Sequence, residues 1–246
     1  MMQPTERFTT RVKNYVKYRP GYPDELVEVL RREGLPRGAS VVDVGSGTGI
    51  STDLFLRHGC VVTGVEPNAA MRSAAVARGH HVVEGTAEAT GLAGACADLV
   101  FCAQAFHWVR REEAKREFLR IVKPGGLIAL AWNLPRKTDS EFERGLEELL
   151  LARSEDYRCR VRTGTDETVA SLEELFAPSE VHLFETLHGQ RLDWPALLGR
   201  LFSASYVPQG DTAFEAEARA LFDRTQQSGF VWMPYHCRMY WLRSGK

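Results

Sequence analysis

The 246-residue sequence has no run of the roughly 18 apolar residues that a membrane-crossing helix requires, and its first residues carry charge without the apolar core of a secretory leader. A soluble, cytoplasmic protein with no membrane partner is the expectation. The five cysteines, Cys60, Cys96, Cys102, Cys159 and Cys237, form no CxxC pair and no ligand-spaced group with histidine. That pattern argues against a metal site, and an odd, scattered count fits free thiols in a reducing compartment. Neither sign of charge dominates, with 31 lysines and arginines against 32 aspartates and glutamates, so electrostatics alone names no partner. Also missing is the clustered basic surface of nucleic-acid binders. The nearest approach is the spaced set Arg7, Arg11, Lys13, Lys17 and Arg19, which reads as the solvated face of a helix. Internal repeats and low-complexity linkers are absent too, and nothing in the sequence indicates an oligomeric state.

What the chain does have is apolar surface for a full core, at 44% hydrophobic residues. Short apolar runs alternate with helical segments: SVVDVG, CVVTGVE, HHVVEG, ADLVFCA and GLIALAWN. Alternation of this kind predicts a parallel sheet. The helical stretches put apolar residues on one face, as with Leu26, Val29 and Leu30, or Ala114, Phe118, Ile121 and Val122. Lys123-Pro124-Gly125-Gly126 then interrupts the pattern as a tight turn. Beyond Asn133, Phe142, Leu146, Leu149 and Leu150 mark a helix whose packing partner is not legible. Ser171 with Glu174 forms a capping-box pattern opening a short helix that ends near Pro178. A strand over 181–187, a helix bearing Phe214, Ala218, Leu221 and Phe222, and an aromatic-rich strand over 230–241 complete the chain. Seven strands result, the last pair separated by a long helical excursion that suits a cover over a site or merely a wider core.

The segment VVDVGSGTG, residues 41–49, carries the chemistry. A buried strand runs into Gly45, Gly47 and Gly49, and Ile50 to His58 reads as a helix. Glycines let a ligand approach the backbone, and free N–H groups at a helix start favour an electron-rich group. The loop alone implies no more than a nucleotide-like ligand beyond the carboxyl ends of the strands. The second strand adds Glu66, a little over twenty residues after Asp43, where an acid can accept from both hydroxyls of a ribose.

With these residues the sequence resembles class I S-adenosylmethionine-dependent methyltransferases, in the small-molecule branch that includes trans-aconitate methyltransferase. Asp43, Gly45, Gly47 and Gly49 match the first motif of that family. Glu66-Pro67-Asn68 with Met71 is similar to its second, where the acid holds the ribose. Gly85-Thr86-Ala87-Glu88 resembles the segment bordering the adenine, and Ala103-Gln104-Ala105-Phe106-His107-Trp108 the strand end that meets methionine and acceptor. Leu119-Arg120 and Val122-Lys123-Pro124-Gly125-Gly126 resemble the turn before the fifth strand. In Tyr15-Val16-Lys17-Tyr18-Arg19-Pro20-Gly21-Tyr22-Pro23, Tyr15 and Arg19 match residues that reach the cofactor, Arg19 pairing with its carboxylate. These tyrosines read equally well as staples for the first helix.

The resemblance implies a Rossmann-like α/β fold: a seven-stranded, mostly parallel sheet with one antiparallel edge strand, helices on both faces and helical lid segments. It implies one methyltransferase domain over 1–246, with N-terminal helices and partial lid in 1–35, the cofactor-binding core in 36–135, and the helical cover and final strand pair in 136–246. The implied cofactor is S-adenosylmethionine, leaving as S-adenosylhomocysteine, without metal. The implied partner is a small-molecule methyl acceptor, a carboxylic acid by family likeness, and not nucleic acid.

Because the sulfonium is already a good methyl donor, positioning supplies much of the rate. A carboxylate acceptor needs no base, whereas a phenol, hydroxyl or amine does. His107 is the candidate base or acceptor ligand, since it follows the fourth strand and titrates near neutrality. Holding the backbone is its alternative role. Trp108 and Asn133 are expected on the acceptor side, and Trp132 is expected to pack in the core. Tyr206, Trp232, Tyr235 and His236 fit sheet packing as well as acceptor contact. Two rivals stay open. A nicotinamide oxidoreductase shares loop and acid but usually shows GxGxxG rather than DxGxGxG, and a non-catalytic binding module would keep the same pocket.

Overall fold

The computed structural model describes residues 11–135, 140–163, 169–207 and 210–245. Strands β1 (Ser40–Val44), β2 (Val61–Val65), β3 (Val82–Val83), β4 (Ala97–Ala103), β5 (Val122–Pro135), β6 (His182–Leu192) and β7 (Val231–Arg243) form one sheet in the order β3-β2-β1-β4-β5-β7-β6. The first five run parallel. The last two join as an antiparallel pair: β7 runs antiparallel to both neighbours and inserts between β5 and β6. Strand β1 lies between β2 and β4, and helices cover both faces of the sheet there, so Val41 is buried on one face and Val42 and Val44 on the other. The Lys123–Gly126 turn loops out of β5, since Ala97 faces Val122 but Leu99 already faces Leu127.

Helices α2 (Glu25–Arg32) and α3 (Ile50–Arg57) cover one face, where Leu26, Leu30, Leu54 and Phe55 pack against Leu99 and Phe101 of β4. On the other face, α5 (Arg111–Ile121) and α8 (Val169–Phe176) bring Phe118, Ile121 and Phe176 against Val100 and Ile128. Helix α4 (Ala69–Ala77) is capped by Asn68, whose Oδ1 accepts from the Met71 N–H at 2.9 Å. Trp132 is buried, edge-on to Tyr240, as expected of a core residue.

The excursion between β6 and β7 forms a third core. Helix α6 (Glu141–Arg153) packs on α10 (Thr212–Thr225), and α9 (Trp194–Phe202) joins them; Phe142, Leu146, Leu201, Phe214 and Phe222 are buried together with Tyr235 of β7. The partner of the Phe142 helix is therefore α10. Helix α1 (Val12–Tyr18) lies on α9, with the Tyr18 ring against Gly199. Tyr18 is thus a staple.

Three local expectations change. Within the basic set Lys17 is exposed as expected, but two members are not solvated: Arg11 donates to the carbonyls of Phe202, Ala204 and Val207, and Arg19 to that of Ser203, because the end of α9 leaves carbonyls without helical partners. Arg7 and the Lys13 side chain lie outside the described residues. Ser171 sits inside α8 rather than at its cap. The sixth strand runs on to Leu192, because it pairs with β7 along its whole length.

Phe214 is fully buried at the centre of the third core. Phe214→Ala is expected to lower unfolding free energy by about 3–5 kcal/mol, read by chemical denaturation. A loss under ~1 kcal/mol would mean that the cover does not unfold together with the sheet.

Candidate active site

Strand order reverses between β1 and β4, because β2 and β3 lie on one side of β1 and β4 and β5 on the other. In open α/β sheets a crevice forms outside the carboxyl ends of the strands at such a point. The glycine loop leaves β1 there. Gly45 donates its N–H to the Val65 carbonyl at 2.8 Å, and its φ of +69° and a Cβ position 2.5 Å from Ala105 Cβ demand glycine. At Gly47, φ is +57° and a Cβ would point into open space. A ligand can occupy that space.

Beneath the loop, Asp43 is fully buried at the end of β1. Its Oδ2 accepts from the Ser51 and Thr52 hydroxyls, each at 2.7 Å, which ties the loop to the first turn of α3. Its Oδ1 has no partner, and neither do the buried Ser46 Oγ and Thr48 Oγ1. Burial raises the Asp43 carboxyl to about 6, against the pull of the two hydroxyls. Glu66 closes the loop from β2: its Oε2 accepts from the Gly47 N–H at 2.9 Å and its Oε1 from the Asn68 N–H at 2.8 Å. Burial raises its titration too, partly offset by these two amides. Each oxygen retains a lone pair toward the cleft.

The cleft has a volume of about 340 Å³, within the roughly 300–1,000 Å³ of small-molecule sites. Gly45 and Gly47 supply one wall; Glu66, Pro67 and Met71 the next. Thr86, Ala87 and Glu88 enter after β3, Gln104 and Ala105 after β4, and Tyr15 from α1. Asp43 and Gly49 are not in the lining. They shape the loop from below and at the N-terminal end of α3, where a Cβ on Gly49 would run into His80.

A small polar neck of about 30 Å³ adjoins the cleft and shares Tyr15, Gly45, Ala103 and Gln104 with it. Arg19 and Asn133 line this neck. Asn133 is fixed on three sides: its Nδ2 donates to the Gly21 carbonyl, its Oδ1 lies 2.8 Å from His188 Nε2, and its own carbonyl accepts from Gln104 Nε2. Arg19 lies over the Tyr15 ring, 4.9 Å from its centroid, and its buried Nε has no partner. Burial and the nearby Arg200 lower its titration.

Two residues expected on the acceptor side lie elsewhere. Trp108 lines the larger cleft, together with Glu88, whose Oε1 accepts from the Arg110 N–H at 2.8 Å. His107 lines neither cleft nor neck; its Nδ1 is 3.4 Å from the Trp132 indole nitrogen and its ring packs against Trp108. The short 3-10 turn over Phe106–Trp108 buries Phe106 in the core and carries the following ring away from the neck.

Sequence reasoning overlooked Arg200, which lines the neck from α9 and is 5% exposed. The signal was present: one arginine in the otherwise apolar WPALLGRLF. Ser46, Ser51 and Pro20 of the neck carried none beyond proximity to the motifs.

The sequence profile of a family described as methyltransferase domain matches residues 42–130, the stretch that builds loop, cleft and neck floor. That segment is similar to a methyltransferase domain. An uncharacterized methyltransferase of Mycobacterium tuberculosis is 37% identical over 129 residues, 51% of each chain. The malonyl-[acyl-carrier protein] O-methyltransferase of Enterobacter lignolyticus is 34% identical over 96 residues, 38% of each. The matched region thus spans about half the length of the first of these relatives. Among solved structures, a proposed type II methyltransferase from Anaeromyxobacter dehalogenans superimposes with a TM-score of 0.63 at 24% identity, over 93% of this chain and 98% of that one. Phosphoethanolamine N-methyltransferase 2 of Haemonchus contortus gives 0.60 at 15%, over 99% and 59%. Both share the class I methyltransferase fold.

Asp43 generates a pH prediction for this domain. A carboxyl raised from 3.8 to about 6 by burial contributes stability below pH ~4 that is lost as pH rises through its folded value. Asp43→Asn keeps an oxygen for both hydroxyls and removes the buried charge. In ligand-free protein its stability relative to wild type is expected to rise by about 2–3 kcal/mol between pH 4 and pH 7. A difference that stays flat across this range would refute the buried charge.

Proposed function

We propose that this chain transfers a methyl group from S-adenosylmethionine to a small-molecule carboxylic acid. The observation that carries the acid is the pair of arginines at the neck. Arg19 and Arg200 are close enough to act on one another, and neither has a carboxylate partner among the described residues. Two neighbouring cations in one neck call for two anions: the methionine carboxylate on Arg19 and the acceptor on Arg200. Family likeness to the small-molecule branch supports the same reading, as does a relative named for O-methyl transfer to a malonyl carrier.

The residues present fit the cofactor. Glu66 has lone pairs left for two ribose hydroxyls, and the space over Gly47 admits a ligand against the backbone. The Thr86–Glu88 segment and Trp108 border the far wall, where the flat adenine ring would lie. Once bound, the cofactor supplies an activated methyl on a sulfonium. The chain then has to position the acceptor, keep water out and bind its charge. Tyr15, Gln104 and Asn133 frame the passage between cleft and neck, and a carboxylate acceptor requires no base there. This explains why His107 lies off the path.

Calorimetry with S-adenosylhomocysteine tests the donor half. Glu66→Gln leaves a single oxygen where two amides must be satisfied, so affinity is expected to fall about 10- to 100-fold. Transfer of labelled methyl to a panel of carboxylic acids, phenols and amines tests the acceptor half. Turnover confined to the acids is expected; turnover confined to amines or phenols would overturn the proposal, and tight cofactor binding with no transfer would favour a non-catalytic module.

A further inference from the structure

Arg200 also belongs to the wall of a second chamber of about 340 Å³ between α6, α7 (Glu155–Thr163), α9 and β7. Phe142, Leu146 and Leu150 come from α6, Leu201 from α9 and Met233 from β7; Glu143, Arg144, Glu147 and Glu148 of α6 also line it, Glu147 accepting from the Tyr157 hydroxyl of α7, so its wall is mixed. The arginine is the one described residue shared by neck and chamber, so it stands between them, as Tyr15 and Gln104 stand between the larger cleft and the neck. Its Nε donates to the Tyr235 hydroxyl at 2.8 Å; its Nη nitrogens, which have no hydrogen bond to a described residue, are not among the fully buried unpartnered atoms, in keeping with a side chain that lines both neck and chamber. Burial pulls its titration down, but Tyr235, Tyr206 and Tyr15 outweigh this and hold it above the usual value, while Arg19 repels it from the neck. The three phenols carry no charge near neutrality, so none of them is a counter-ion there. A guanidinium this deeply buried normally faces a carboxylate or several carbonyls.

The bland account is that the C-terminal end of α9 compensates it. A helix end offers roughly half an elementary charge, and the carbonyls around this end are already taken by Arg11, which binds those of Phe202, Ala204 and Val207, and by Arg19, which binds that of Ser203. Half a charge shared among three guanidiniums leaves Arg200 short of an anion.

We infer that the chamber receives the apolar body of an amphipathic monocarboxylic acid whose carboxylate is held by Arg200 at the neck. This rests on the donor-cleft reading only for which end is methylated: a carboxylate oxygen forms the new bond to the methyl carbon, the sulfur–methyl bond breaks, and the sulfonium becomes a neutral thioether. No proton moves. The ester formed has lost the charge that paired with Arg200, which favours its release.

Binding of straight-chain acids to the full chain in the presence of S-adenosylhomocysteine tests this by calorimetry. From butyrate through hexanoate to octanoate, affinity is expected to rise about 4-fold per methylene as the chamber fills. Octanoate is expected to bind at least 10-fold tighter than octanol, and Arg200→Gln to erase that preference while leaving S-adenosylhomocysteine affinity within 3-fold. Ala204→Phe, at a buried chamber position, is expected to cost the long acid over 10-fold and butyrate little. Should a variant fail to fold, the chain-length series and the acid-over-alcohol preference on wild type still decide. Equal affinity along the series, or octanol matching octanoate, overturns the proposal. Octanoate binding without any S-adenosylhomocysteine binding would sink the donor-cleft reading and leave the chamber standing; the reverse would sink the chamber alone.

Discussion

The carboxylate of Glu66 holding the Gly47 and Asn68 amides is the contact on which the site depends. A loop with three glycines at positive φ has little conformational preference of its own, so some group outside it has to choose its shape. Glu66 does so from the neighbouring strand. Its backbone partner Val83 and the β1–β2 ladder hold it at the right height, and Asn68 then caps α4, so one acid sets both the loop and the start of the next helix. From below, Asp43 fixes the other end of the loop through Ser51 and Thr52. Two buried carboxylates are an expensive way to hold a loop. The expense falls on a site that gains acceptors by it, which is where such groups are usually found.

The cover is held by a different device. Between α1 and α9 there is no ion pair among the described residues; arginines bind the carbonyls at the end of α9, and Tyr18 packs on Gly199. Carbonyls at a helix end accept such donors without requiring a buried acid. This arrangement brings positive charge to the neck with no internal counter-ion, whereas an acid-based clasp would have neutralised it. The way α1 is fastened to α9 and the positive charge of the neck therefore have one origin.

Legibility in the sequence followed how local the constraint was. The valines of β1, the glycines of the loop and Glu66 answer to neighbours within one βαβ unit, and the sequence pattern displays them. The faces of α6 and α10 were visible as periodicity, but their mutual packing was not, because nothing in either stripe names its partner. Arg11 and Arg19, which flank α1, looked solvated because their acceptors are carbonyls about 190 positions away. His107 misled for a related reason. Its position after β4 was right, but the short turn that buries Phe106 carries the next ring toward Trp132.

Arg200 was hidden differently, since its chemistry was in plain view and only its context was missing. An arginine in the last turn of an apolar helix is favourable on any protein surface, where solvent completes its hydrogen bonds. Here the side chain lies on the buried side of α9, because Leu197 and Leu201 bracket it and Tyr235 closes over it. The same residue in the same helix thus changes from a surface cation to an unpaired buried one solely through β7 inserting next to β5 and placing Tyr235 beneath α9. Insertion of the last strand is what sets the helical excursion against the neck, so the cleft is written in short motifs while the far side of the neck is written in topology.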